Sequence, residues 1–245
     1  MSLDSSEIVA VILAGGFGTR VKHLLPNIPK PMASVKGKPF VEWIIKYLHS
    51  QGIKKTIIST GYLGEVIEKY FAHQTMEGME VKCCRETTAL GTAGGFVNVV
   101  KNHKLSPKAW LITNGDSLIF ANLQPLFSYL EDEKVSGVIL GLSLNDTSRY
   151  GSLVYDQDYN LINFAEKKPG AGVVNSGVYL LRHNLIAEFP QNIPLSFEQE
   201  VFPCLLDKGI KFKVHIVDAP FLDIGTPSSL AQAEKFIIHN FSSEG

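Results

Sequence analysis

Apolar and polar positions along the chain fall into blocks of changing period, and the blocks predict most of the elements. Ile8-Val9-Ala10-Val11-Ile12-Leu13 is a continuous, largely β-branched run followed by a glycine pair, the pattern of a strand covered on both faces. A loop punctuated by glycine and proline follows, from Gly15 to Gly37. Between Pro39 and Gln51 the period lengthens. Phe40, Ile44 and Leu48 recur at every fourth position, Glu42, Lys46 and His49 stay polar, and Gly52 stands where a helix would stop. Stretches from Lys55 to Ser59, Glu80 to Arg85 and Trp110 to Thr113 read as further strands, with helices predicted from Gly64 to His73 and from near Thr92. Alternating β and α units predict a mostly parallel sheet with helices on both faces. Such sheets bind ligands beyond the carboxyl ends of their strands, so the loops after Leu13, Arg85 and Thr113 should share one crevice.

The second half changes pattern. Val135 to Ser143, Ser152 to Tyr155, Leu161 to Glu166 and Val173 to Leu181 are strand-like with short turns between them. They predict a mixed or antiparallel extension that covers the crevice. Helices near Ser196 to Leu206 and from Pro227 to His239 bracket a strand from Lys211 to Val217. The whole is expected to be an α/β fold, a Rossmann-like three-layer sandwich with a mixed, mostly parallel sheet. Residues 7–241 are expected to form a single domain, with 1–6 and 242–245 as tails.

Composition narrows the function classes. The chain has 245 residues, 45% hydrophobic and 19% charged, which suits a chain with a sizeable core. Its 23 basic and 24 acidic residues give a net charge of -1. That balance supplies no bulk attraction to nucleic acid or to an anionic membrane, and neither is expected as a partner. No apolar run reaches membrane-spanning length, and the start lacks the basic and apolar regions of a leader. The cysteines are Cys83, Cys84 and Cys204, without metal-ligand spacing or a disulfide framework, as expected of a protein of the reducing cytoplasm. Cys83 and Cys84 are adjacent on one strand and should face opposite sides. Phe71, Trp43 and Tyr47 read as core aromatics, and none of the seven histidines shows ligand spacing.

The stretch Leu13-Ala14-Gly15-Gly16-Phe17-Gly18-Thr19-Arg20 carries the most chemistry. Glycines directly after a buried strand leave backbone N–H groups open to an anion. A tight strand-to-helix turn would need only about one glycine. Val21 stands where a dinucleotide fingerprint requires its third glycine, and no Gly-Lys-Ser/Thr follows as in a Walker loop. Downstream, Pro29-Lys30-Pro31 aims one ammonium from a stiff segment, and Arg20 and Lys30 could bracket a polyphosphate.

These two segments together resemble the signature of sugar-1-phosphate nucleotidyltransferases. The resemblance continues through Glu86 with Leu90-Gly91-Thr92-Ala93-Gly94, Asn114-Gly115-Asp116, Phe164-Ala165-Glu166-Lys167, Asn175-Ser176-Gly177 and Asp223-Ile224-Gly225-Thr226-Pro227, so it spans nearly the whole chain. It implies the nucleotide-diphospho-sugar transferase fold and transfer of a nucleotidyl group from a nucleoside triphosphate to a sugar 1-phosphate, releasing pyrophosphate. By that resemblance Arg20 and Lys30 are the catalytic cations. Leu13, Ala14, Gly15, Gly16, Gly18, Thr19, Glu86, Gly91 and Thr92 bind the nucleotide, and Asp116 and Asp223 hold Mg²⁺. Asp116 could instead cap a helix near Ser117, and Asp223 could be a turn residue before Gly225, but the motifs around both favour the metal reading. Glu166, Lys167 and Asn175 are implied to bind the sugar phosphate. Lys168 follows Lys167, and alternate positions of an extended chain face opposite sides, so a one-residue shift would exchange their roles. A homodimer is the family's usual state.

The Leu90-Gly91-Thr92-Ala93-Gly94 turn looks like that of guanylyltransferases for manno-configured sugars, whereas uridylyl and thymidylyl relatives commonly carry a glutamine upstream. A carboxylate at Glu86 suits the N1–H and N2–H₂ donors of guanine. Val21-Lys22-His23-Leu24 after the arginine and Phe221-Leu222 before Asp223 resemble the subgroup acting on D-glycero-α-D-manno-heptose 1-phosphate, and that resemblance implies the same acceptor. Three rivals stay open. One is a uridylyltransferase for gluco-configured or N-acetylated sugars. Another is a glycosyltransferase, for which Asp156-Gln157-Asp158 is a poor metal motif because it sits in a polar turn. The last is a non-catalytic regulatory homologue, against which stand the charged residues Arg20, Lys30, Asp116, Lys167 and Asp223.

Overall fold

The computed structural model describes residues 3–74, 76–165, 169–191 and 194–241. Strand β1 (Ile8–Ala14) leads into the glycine loop and a short hairpin, β2 (Ser34–Val35) and β3 (Lys38–Pro39), then helix α1 (Phe40–Ser50). Next come β4 (Lys55–Thr60), α2 (Gly64–Ala72), β5 (Glu80–Arg85), α3 (Gly91–His103) and β6 (Ala109–Asn114). After β7 (Ser117–Ile119) and α4 (Gln124–Tyr129) the chain turns to β8 (Val135–Leu144), β9 (Ser152–Tyr155), β10 (Leu161–Ala165) and β11 (Gly172–Arg182). A π-helical turn (Phe197–Val201), α5 (Phe202–Asp207), β12 (Lys211–Val217), β13 (Phe221–Asp223) and α6 (Pro227–Phe241) complete it.

Strands β5, β4, β1 and β6 are parallel neighbours in that order. Strand β11 joins β6 antiparallel and continues the sheet to β8, while β12 lies parallel on the far side of β8. The hairpin of β9 and β10 extends β11 on its other flank. The antiparallel extension predicted for the second half therefore belongs to the main sheet.

Alternation along β1 explains the three layers. Ile8, Ala10, Ile12 and Ala14 point into one core with residues of α1, α2 and α6. Val9 and Val11 point into the other, against Ala93, Phe96 and Val99 of α3 and Phe202 and Leu205 of α5. Burial on both faces is why the run is apolar throughout. Cys83 and Cys84 fall on opposite faces as expected, one packed on each core, and all three cysteines are free thiols. Trp43, Tyr47 and Phe71 are buried in the first core. Among the described residues no helix is long and apolar enough to cross a membrane.

Candidate active site

The loops after β1, β5 and β6 meet over the carboxyl ends of the parallel strands in one cleft of about 420 Å³. Leu13, Ala14, Gly15, Gly16, Gly18, Lys30, Glu86, Gly91, Thr92 and Asp116 all line it. Phe17, Ser59, Ala89, Gly95 and Asn114 line it too, without having been singled out as candidate site residues. Phe17 is 57% exposed and its ring lies 5.4 Å from that of Tyr62, an aromatic flank that only the fold brings together.

The three glycines after β1 each meet a different demand. A Cβ on Gly15 would lie 2.2 Å from a carboxylate oxygen of Glu86, one on Gly16 would meet nothing within 4 Å, and Gly18 has φ +58. Gly16 thus leaves open backbone toward the cleft. Glu86 is enclosed by glycines on several sides, since a Cβ on Gly61 would come within 2.4 Å of it and one on Gly95 within 3.4 Å. Burial pushes its carboxyl up from the ordinary 4.5, opposed by a hydrogen bond from the Leu90 backbone. An acceptor group is therefore set into bare backbone at the wall of the cleft.

At the other end the Lys30 ammonium forms an ion pair with Asp116 Oδ2. Pro29 is extended and Lys30 opens a 3₁₀ turn with Pro31 behind it, the stiff presentation its two prolines dictate. Asp116 does not cap a helix, because Ser117 begins β7. That strand pairs antiparallel with β13, placing Asp223 opposite Ser117, and the Ile224 N–H donates to Asp116 O at 2.9 Å. The short ladder is what brings Asp116 and Asp223 to one place.

Asp223 also behaves as a turn residue, its Oδ1 accepting from Gly225 N–H at 2.7 Å, while Arg149 lies 3.8 Å from Oδ2. A Cβ on Gly225 would touch both Asp223 Oδ1 at 2.7 Å and Arg20 Nη2 at 2.9 Å, so Arg20 converges on the same carboxylate from the glycine loop. Arg149 lies over Tyr150, which meets Phe221 edge-on at 5.7 Å. Nothing in the polar stretch Asn145-Asp146-Thr147-Ser148 marks Arg149 in the sequence; the β8–β9 loop delivers it. Thr19 is exposed on the loop outside the cleft lining. Asn175 lies on β11, and its Oδ1 accepts from Gly177 N–H at 3.0 Å. Glu166 and Lys167 lie outside the described residues.

Among the described residues no group of three or more histidine, cysteine or acidic side chains could hold a metal. Asp116 lines the cleft, Asp223 and Arg20 lie outside its lining, and the β7–β13 ladder sets Asp223 beside Asp116; one or two carboxylates with water and phosphate oxygens are what suits Mg²⁺.

An open α/β sheet with glycine-walled backbone, a half-buried lysine and an aspartate beyond its strand ends is the architecture of a nucleotide-phosphate-handling protein. The chain belongs to the nucleotidyl transferase family, whose sequence model matches residues 9–240. It is 36% identical over 235 residues to the D-glycero-alpha-D-manno-heptose 1-phosphate guanylyltransferase of Campylobacter jejuni, covering 94% of this chain and 99% of that one. With the protein of the same name from Aneurinibacillus thermoaerophilus it shares 33% over 234 residues, covering 94% and 98%. The crystal structure of HddC from Yersinia pseudotuberculosis complexed with GMP-PN superposes with TM-score 0.80 at 32% identity, covering 92% of this chain and 97% of that one.

Proposed function

We propose that this protein, through one catalytic domain over residues 7–241, transfers guanylate from GTP to a manno-configured sugar 1-phosphate and releases pyrophosphate in the cytoplasm. D-glycero-α-D-manno-heptose 1-phosphate is the favoured acceptor and mannose 1-phosphate the next. The observation that carries the reading is Glu86, a carboxylate recessed among glycines in the wall of the cleft. Its two oxygens match the paired N1–H and N2–H₂ donors of guanine and would repel the acceptor edge of uracil. The names of the relatives from Campylobacter jejuni and Aneurinibacillus thermoaerophilus support the same choice.

The nucleophile is already a phosphate, whose second pKa of about 6 leaves it largely dianionic at neutral pH. No general base is required. The obstacle is repulsion between two polyanions that must line up at the α-phosphorus, so positioning and charge neutralisation carry the catalysis. Backbone N–H groups of Gly15 to Thr19 hold the triphosphate against the end of β1. Lys30 sits beside the α-phosphate and follows the charge that develops there, while Arg20 stabilises the departing pyrophosphate. Asp116 and Asp223 would hold Mg²⁺, which when bound supplies countercharge to the phosphate oxygens. The ion pairs of Asp116 with Lys30 and of Asp223 with Arg149 keep these carboxylates matched by cations meanwhile. Glu166 and Lys167 meet the sugar phosphate and Asn175 a sugar hydroxyl.

The test is a pyrophosphate-release screen of GTP, UTP, CTP and dTTP against heptose, mannose, glucose and N-acetylhexosamine 1-phosphates. Turnover should require GTP and favour the manno-configured acceptors. A strong preference for UTP would contradict the guanylyl assignment.

A further inference from the structure

Glu198 and Glu200 share the π-helical turn at Phe197–Val201 but do different work. Glu200 Oε2 accepts the Ser196 N–H at 2.6 Å and closes the start of its own turn. Glu198 reaches away from the turn to strand β11. Its Oε1 accepts the Tyr179 O–H at 2.6 Å and, more weakly, an Asn175 Nδ2–H at 3.4 Å, while Oε2 accepts the Ser196 hydroxyl at 2.9 Å. Asn175 Nδ2 also donates to Tyr179 Oη at 2.7 Å. No cation is among these partners.

The Tyr179 ring is 1% exposed and wedged against Phe197 and Phe202, each 5.2 Å away. Burial and then the Glu198 charge hold its phenol protonated far above the ordinary range, so it remains a donor to Glu198. Both hydrogens of the Asn175 amide therefore point into the protein, and Oδ1 already accepts Gly177 N–H. What Asn175 has left to offer is one Oδ1 lone pair, which selects a hydroxyl donor.

This cluster is fastened to the nucleotide cleft at both ends. Gly177, at φ +77, leaves room for the cleft-lining Asn114, whose amide nitrogen would lie 2.2 Å from a Cβ there. On the other side Phe197 N–H donates to the cleft-lining Thr92 Oγ1 at 3.1 Å, and Leu195 N–H to Leu90 O at 2.8 Å. π-Helical turns recur at functional sites, and here the turn carries the Glu198 carboxylate that reaches Tyr179.

We propose that Glu198 is a positioning residue that fixes the Asn175 amide with its oxygen toward the sugar, so that this side of the site recognises a sugar hydroxyl as donor. The proposal rests on the reading of the site as one that accepts a sugar 1-phosphate. Without the carboxylate the amide can rotate and present N–H groups instead, weakening sugar binding while leaving the nucleotide wall intact.

Initial rates by pyrophosphate release, with mannose 1-phosphate or the heptose 1-phosphate varied at saturating GTP and the reverse, test it on the full chain. E198A should raise the sugar-phosphate KM about tenfold or more while the GTP KM moves less than about twofold. E198Q, whose amide oxygen still accepts the Tyr179 O–H, should recover to within about threefold of the parent. Y179F keeps the ring packing and removes the hydroxyl bridge, and should shift the sugar KM in the same direction as E198A even if E198A fails to fold. Equal rises in both KM values, or a sugar KM unmoved in Y179F and E198A, would overturn the proposal. An unsubstituted protein inactive with every sugar 1-phosphate would remove both this proposal and the reading it rests on. An active one with an unmoved sugar KM would remove this proposal alone.

Discussion

Strands β1 and β11 flank the same neighbour, β6, one parallel and one antiparallel to it. They bring chemistry to the site in opposite ways. On the β1 side the functional groups follow the strand directly: the glycine loop leaves its end, and Lys30 comes from the stiff segment just beyond. Most of what that side does is local in sequence. On the β11 side Asn175 means little until Tyr179, Glu198 and Gly177 are packed around it. The difference teaches that a nucleotide wall made of backbone can be carried by a short motif. A wall that discriminates sugar hydroxyls has to be assembled from distant side chains.

The largest expected effect falls on the charged groups between the two walls. K30A and D223N should each lower turnover by about 10²–10³ or more. Thermal unfolding of D223N should hardly change, since Asn there can still accept from Gly225 N–H. Near-normal rates in either variant would show that the residue does not meet the phosphates.

Next comes the seam that joins the two sides. Gly91 has φ +78 and a Cβ there would lie 2.3 Å from the Leu195 carbonyl oxygen, which accepts from Ala93 N–H and Gly94 N–H. G91A should cost roughly 2–3 kcal/mol from left-handed strain and the forced shift of two backbones. That predicts a lowering of the unfolding midpoint by about 2–4 °C per kcal/mol, measured by calorimetry. G16A meets nothing within 4 Å and should leave stability within about 0.5 kcal/mol. If the two glycines behave alike, the seam is not where the structure places it.

A smaller effect is expected at Glu86. E86Q should raise the GTP KM by about 10–100-fold and narrow the preference over UTP, because one acceptor becomes a donor facing guanine. Smallest is the pH dependence of the parent protein. Burial raises the Glu86 pKa above 4.5, so GTP affinity should fall as the pH drops through that raised value. The stability contribution of the same group has the opposite sign. The native state binds its proton more tightly than the unfolded chain, so Glu86 favours folding more as the pH falls from the raised pKa toward 4.5. Binding lost and stability gained over one range, both absent in E86Q, would identify the group; a titration that persists in E86Q would assign it elsewhere.

The same contrast governs what could be read from the sequence. The apolar run of β1, the four-residue period of α1 and the crevice shared by three loops follow from periodicity, because each is fixed by neighbours in the chain. The β7–β13 ladder does not, since Ser117–Ile119 and Phe221–Asp223 are too short to show a period and lie far apart in the chain. Asp116 and Asp223 could be named from their motifs, yet only that ladder explains why they meet. The helix predicted from Ser196 to Leu206 is present as α5 from Phe202, while its first part, Phe197–Val201, is a π-helical turn. Pro203 has no N–H to give Gln199, which breaks the regular ladder at that point. Glu198 stayed invisible because a glutamate in Ser196-Phe197-Glu198-Gln199-Glu200 reads as an ordinary solvated helix residue.

The claim on which the rest depends is that the triphosphate lies on open backbone at the end of β1, opposite Lys30, Asp116 and Asp223. A crystal structure with a non-hydrolysable GTP analogue and Mg²⁺ addresses it directly. The phosphates should accept hydrogen bonds from the Gly15 to Thr19 amides, with guanine against Glu86. A nucleotide bound with its phosphates away from that loop would contradict the account.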